Sequence, residues 1–202
     1  MTLFQIILLA ASIFFAWQIY KFVNTLKDGG GNLPSESDTP PQPESRQSAY
    51  PGIHDIGSLI DKADEAYGDG KLDDARIYLE RAEKQDPDNP ETLNKLAFIL
   101  FKEGDNETAL QKYERSLMLD PNDDLTHNAA AAVLRKMGRL DEAQEHYKSA
   151  VDIDENYEET YYNYGQLLIE KGDREGARMM FEKALELRPD YAEAKAALEA
   201  LA

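Results

Sequence analysis

The sequence predicts an all-α protein: a solenoid of four helical hairpins closed by a short capping helix, preceded by one membrane-spanning helix and a disordered linker. Three observations predict it. A set of landmark residues recurs every 34 positions between residues 56 and 191. Within each copy the apolar residues follow helical spacing, with glycine in the middle of the unit and, in three of the four, proline near its end. At the N-terminus an apolar run, Leu3 to Val23, stands apart from the repeats behind a stretch rich in Gly, Pro and Ser. A fixed period of this size is the mark of stacked supersecondary units.

The register is clearest in the last copy and can be followed backwards. Gly172 answers to Gly138, Gly104 and Gly70, and Ala177 to Ala143, Ala109 and Ala75. Phe181 answers to Tyr147, Tyr113 and Leu79, and Ala184 to Ala150, Ser116 and Ala82. Pro189 answers to Pro121 and Pro87, with Glu155 breaking the run and predicting a looser turn there. The units are 56–89, 90–123, 124–157 and 158–191. In the second, Leu93, Leu96, Ala97 and Leu100 line one helix, and Ala109, Tyr113, Ser116, Leu117 and Leu119 line the next. Gly104 suits a left-handed helix end, Asp105 or Asn106 can cap the following helix, and Pro121 stops it. Small residues at Ala97 and Ala109 allow close approach of the paired helices, and Tyr113 fills the gap to the neighbouring unit. No single unit can bury its apolar face alone, so the stack is the core.

These residues resemble the tetratricopeptide repeat (TPR) family, a helix–turn–helix unit of 34 residues. The resemblance covers Ile56 to Tyr191, with a partial unit after it. It implies a right-handed α-solenoid that binds protein partners. It also implies that the first helices of successive units line a concave groove. That pattern, mapped onto this chain, turns Tyr67, Asn94, Phe98, Phe101, Asn128, Arg135, Tyr162, Gln166 and Ile169 toward the groove. Asn and Gln amides can donate to and accept from a peptide backbone, and aromatic rings can anchor apolar side chains. Arg135, with Lys136, is a local positive charge suited to a carboxylate. One subset of the family grips the acidic tails of chaperones with a clamp of Lys, Asn and Arg. Here Ile60 and Asp64 stand at the first unit's Lys and Asn slots, so no such clamp is expected.

Leu3 to Val23 contains one charge, Lys21, near its end. The run is long enough to cross a bilayer core of about 30 Å. Trp17 and Tyr20 sit where an aromatic belt would, and Lys21 can reach the interface. A cleaved signal peptide is the rival, but only Met1 and Thr2 precede the run and no A-x-A follows it. Residues 1–27 are therefore expected to be an anchor. Lys21 and Lys27 follow the span and no Lys or Arg precedes it, which places the repeats on the cytoplasmic side; a periplasmic arrangement is the alternative. Residues 28–55 hold Gly29, Gly30, Gly31, Pro34, Pro40, Pro41 and Pro43 among polar residues, with too little apolar content to fold. This segment is the expected tether.

Residues 56–202 form the expected repeat domain. Its first unit is the most polar: Lys62 stands where other copies have Leu96, Ala130 and Tyr164, and Gln85 where they have Leu119, Ile153 and Leu187. Such departures suit an end unit. Residues 192–202 are rich in strong helix formers, and Ala194, Ala197, Leu198 and Leu201 are expected to cover the last unit's open face.

Composition narrows the function. The 202 residues include 22 Lys and Arg against 39 Asp and Glu, a formal charge of -17. Such a charge argues against binding a nucleic-acid backbone through a basic face, and it favours solubility, or a basic partner. With no cysteine, thiol catalysis, disulfides and thiolate metal sites are excluded. His54, His127 and His146 show no metal-ligand spacing, and His127 and His146 fall on different helices of the third unit. Asp120, Asn122 and Asp124 alternate as in a calcium loop, but Leu125 and Ala131 occupy the Gly and Glu places. No catalytic residue, cofactor, metal or small-molecule substrate is implied. The expectation is a membrane-tethered scaffold gripping a peptide or helix in its groove. An envelope assembly factor holding incompletely folded clients is the alternative.

Overall fold

The structure is a computed structural model that describes residues 55–201. It contains nine α-helices and no strand among the described residues: α1 (Ile56–Gly68), α2 (Leu72–Gln85), α3 (Pro90–Glu103), α4 (Asn106–Leu119), α5 (Asp124–Lys136), α6 (Leu140–Ile153), α7 (Glu158–Glu170), α8 (Arg174–Leu187) and α9 (Ala192–Glu199). The expected anchor and nearly all of the expected linker lie outside the described residues. Among those described, no helix is long and apolar enough to cross a membrane.

Local chemistry sets the helix ends. Gly70, Gly104, Gly138 and Gly172 take φ of 76°, 91°, 76° and 81°, and no other described residue has positive φ. This left-handed step lets the residue after Gly104 turn back onto the helix: Asp105 N donates to Leu100 O at 2.9 Å. The same bond joins Lys71 to Ala66, Arg139 to Leu134 and Asp173 to Leu168. Side-chain caps open four helices. Asn89, Asp105, Asp123 and Asp173 accept from the backbone N–H of Thr92, Thr108, Thr126 and Gly176 at 2.9–3.2 Å. Each is worth about 1 kcal/mol.

The periodic slots form the core. Ala75, Ala109, Ala143 and Ala177 are fully buried, as are Leu79, Tyr113, Tyr147 and Phe181. The two helices of each hairpin pack on each other, and each second helix packs on the first helix of the next unit. In addition α3 touches α5 and α5 touches α7. The first helices of these units therefore form an inner layer behind which the second helices lie. At the C-terminal end Ala194 of α9 is buried against Tyr161 and Ala184, and Leu201 packs with Leu168, Ala177 and Phe181. Arg174 and Arg178 both donate to the Leu201 carbonyl, at 3.4 and 3.2 Å, which pins that end.

Three sequence expectations need correction. Leu119 does not line the core; it is 40% exposed, as is Ile153 at 38%, so that slot faces outward and Gln85 there does not mark an end unit. Leu117 is half-buried and packs against the core as expected. The turn with Glu155 in place of proline is built like the others: Asn156 N donates to Asp154 Oδ1 at 2.9 Å, as Asn122 N does to Asp120 Oδ1 at 3.0 Å. The Asp side chain holds this turn, and proline is not required.

Candidate functional site

Helices α1, α3 and α5 bring their inner faces together around a cleft of about 430 Å³. Its floor is made by Ala63, Leu79, Ile99 and Tyr113, all buried. One wall is the pair Tyr67 and Phe98, whose rings meet edge to face with centroids 5.4 Å apart. The rim carries Asp64, Lys95, Asp123 and the exposed Leu125. Burial pushes the Tyr113 hydroxyl pKa up, so the floor is uncharged at neutral pH. The ammonium of Lys102 lies 5.0 Å from the Phe98 ring centre.

Asn94 joins two units across this cleft. Its Nδ2 donates to Thr126 Oγ1 at 2.7 Å and to Asp123 Oδ2 at 3.2 Å, tying α3 to the cap of α5. The Asp123 carboxylate fixes the amide orientation, because only the amide nitrogen can donate to it. Asn94 Oδ1 is left buried with no hydrogen-bond partner in the protein.

Of the nine residues that the family resemblance turned toward a groove, Tyr67, Asn94 and Phe98 converge on the cleft. The others do not line it. Phe101 packs against the core. Asn128 Oδ1 accepts from Asn163 Nδ2 at 3.3 Å. Arg135 is not a free cation: its Nη1 donates to Glu170 Oε1 at 3.1 Å, so the carboxylate it grips is the chain's own. Gln166 donates to the Tyr162 hydroxyl at 3.0 Å, and the Tyr162 ring packs against Phe181 and Tyr191. Ile169 stays exposed on α7.

Sequence reading missed the rim. Asp64 and Lys95 come from different units, and Lys95 Nζ lies 2.8 Å from both Asp64 oxygens. The 31-residue separation is close to one repeat, which is the signal that could have found the pair. It also missed that His127 and His146 touch, Nδ1 to Nδ1 at 3.0 Å. Among the described residues no group of three or more His, Asp or Glu side chains is arranged to hold a metal ion.

Stacked helix–turn–helix units with an inner layer of first helices define a repeat-type interaction protein. The tetratricopeptide repeat family model matches residues 88–156 and 123–190, together just over half of the chain, and the chain belongs to that family. Solved structures agree in fold. MamA (residue 41 to the end) from Desulfovibrio magneticus RS-1 is 20% identical, with a TM-score of 0.66 over 72% of this chain and 82% of that one. YrrB, described as a TPR protein with an unusual peptide-binding site, is 24% identical, with a TM-score of 0.64 over 71% and 74%. A thermophilic TPR protein from Thermus thermophilus is 25% identical, with a TM-score of 0.63 over 73% and 81%. No curated protein matches the chain in sequence.

Proposed function

We propose that this protein is a membrane-tethered scaffold that holds a peptide or helix of a partner protein on the inner face of its repeats. The anchor is Leu3 to Val23, and the charge bias of Lys21 and Lys27 puts the repeats on the cytoplasmic side. The observation that carries the reading is the cleft. An open apolar cavity of about 430 Å³, walled by two aromatic rings and fringed by charge, has the lining that a binding site uses. Its floor belongs to the core, so the surface is formed before any partner arrives.

The cleanest test uses Leu125, which lines the cleft yet is 55% exposed and so contributes little to folding. Affinity capture from cells with the full-length chain is compared with Leu125→Gln and with Met179→Gln, an exposed position on α8 away from the cleft. Loss of the captured partner with Leu125→Gln alone is the expected result. Capture that both variants leave intact rules the cleft out. Protease access from each side of the membrane tests the orientation, and digestion from the periplasmic side alone would reverse it.

A further inference from the structure

We infer that the cleft takes a segment in which a bulky apolar side chain stands beside a lysine or arginine. The inference rests on the groove reading above and specifies its ligand.

The charged groups of the rim are unevenly matched. Lys95 is held by both Asp64 oxygens and lies 3.8 Å from Glu91. Asp123 accepts from Thr126 N, Thr126 Oγ1 and Asn94 Nδ2, all uncharged donors, and has no cation within ion-pair distance among the described residues. An occupant that neutralises this carboxylate must bring a cation.

Charge points the same way. The one cation lining the cleft among the described residues, Lys95, is outnumbered by Asp64, Asp123 and the adjacent Glu91. Beside Asp123, the Asp124 carboxyl is pushed up from its ordinary pKa by burial and by the charges of Asp154 and Asp123. Asp123 and Asp124 thus place two carboxylates at the start of α5 with no cation within ion-pair distance among the described residues, on a chain whose net charge is -17. A cation placed there is drawn in and speeds encounter, while an acidic segment is repelled. The apolar floor fixes the other half of the ligand. At about 430 Å³ the cavity lies near the small end of the roughly 300–1,000 Å³ range of ligand pockets. It fits one or two side chains of a segment that otherwise runs along the rim.

The test uses the full-length chain and three labelled synthetic peptides of equal length, alternating leucine with lysine, with glutamine or with glutamate, read by fluorescence anisotropy. The lysine peptide is expected to bind most tightly and the glutamate peptide least, with the lysine peptide losing affinity as salt rises. Asp64→Asn and Lys95→Gln break the same ion pair but change the local charge in opposite directions. Asp64→Asn is expected to weaken the lysine peptide by roughly threefold, and Lys95→Gln to strengthen it by a similar factor. A merely structural role of the pair would move both variants the same way, which would overturn the inference. Equal binding of all three peptides, with each lost in Leu125→Gln, would remove the charge preference and leave the groove reading standing. Binding of the lysine peptide that Leu125→Gln does not change would place it elsewhere on the acidic surface and overturn the inference. No binding of any peptide would remove the groove reading as well.

Discussion

His127 and His146 face each other across the third hairpin with their Nδ1 atoms 3.0 Å apart, one on α5 and one on α6. The Pro121 carbonyl, 3.2 Å from His127 Nε2, can only accept. It therefore places a proton on Nε2 and leaves His127 Nδ1 bare to accept from His146 Nδ1–H. A second proton on the facing atoms would set two donors against each other. His146 is held below its ordinary pKa by burial first and by the facing His127 imidazole next, with Glu142 opposing and Arg139 acting in the same sense as burial. Folded His146 thus binds fewer protons than the unfolded chain, and stability rises with pH across that window. It is complete above the ordinary value of 6.5 and is lost as pH falls through the lower folded value. Denaturation midpoints measured from about pH 7 to about pH 5 should decline, and His146→Gln, which still donates but does not titrate, should flatten the decline. An unchanged slope in the variant would show that other groups cause it.

Gly165 sits inside α7 where a helix normally prefers alanine. A Cβ there would lie 2.5 Å from Cε1 of Phe181, inside any real contact. Gly165→Ala should therefore destabilise by about 1–3 kcal/mol in spite of its better helix propensity. Combining it with Phe181→Leu should cost less than the sum of the two single changes, because the smaller side chain removes the clash. Strict additivity in chemical denaturation would show that the ring is not the obstacle.

Tyr147 is fully buried, stacks on Tyr164 at 5.8 Å, and its hydroxyl has no hydrogen-bond partner in the protein. Burial pushes that hydroxyl up to about 12, so it is neutral throughout the useful pH range. The same slot in the last unit holds Phe181. Tyr147→Phe should be neutral or stabilising, within about 1 kcal/mol, because an unsatisfied group is removed without leaving a hole. Tyr147→Ala should cost about 3–5 kcal/mol. A loss above about 1 kcal/mol in the phenylalanine variant would reveal a partner for the hydroxyl.

Two glycines two residues apart should respond in opposite ways to alanine. Gly70 follows α1 with φ of 76°, and the variant should lose about 1–2 kcal/mol to the left-handed backbone. Gly68 lies in the last turn of α1 without positive φ, and nothing stands within 4 Å of where its Cβ would be. Gly68→Ala should gain about 0.4–1 kcal/mol by restricting the unfolded chain. Thermal melts of the two variants, one shifted down and one up, check both statements at once.

The period made most of the fold legible. Ala143, Tyr147 and Ala150 are buried where their counterparts in the other units are, because every interior unit meets the same neighbours. Leu119 escaped the reading, since helical spacing marks a stripe and not how far the adjacent helix covers it. The candidate site was legible only in part. Of the residues that the family resemblance turned toward a groove, Tyr67, Asn94 and Phe98 line the cleft, and Arg135 and Gln166 are engaged by Glu170 and Tyr162. Those partners depend on side-chain reach between helices, which a repeat register does not specify.

From the order of residues alone came the repeating helical hairpin, its glycine-ended first helix and its alanine-lined seam. Each of these follows from backbone preference and periodic apolarity within a few turns of chain. Tertiary structure alone decided that Asn94 reaches the cap of α5, that Lys95 is taken by Asp64, and that His127 meets His146. These depend on distances of a few ångströms between side chains 19 or more residues apart, set by how neighbouring helices pack.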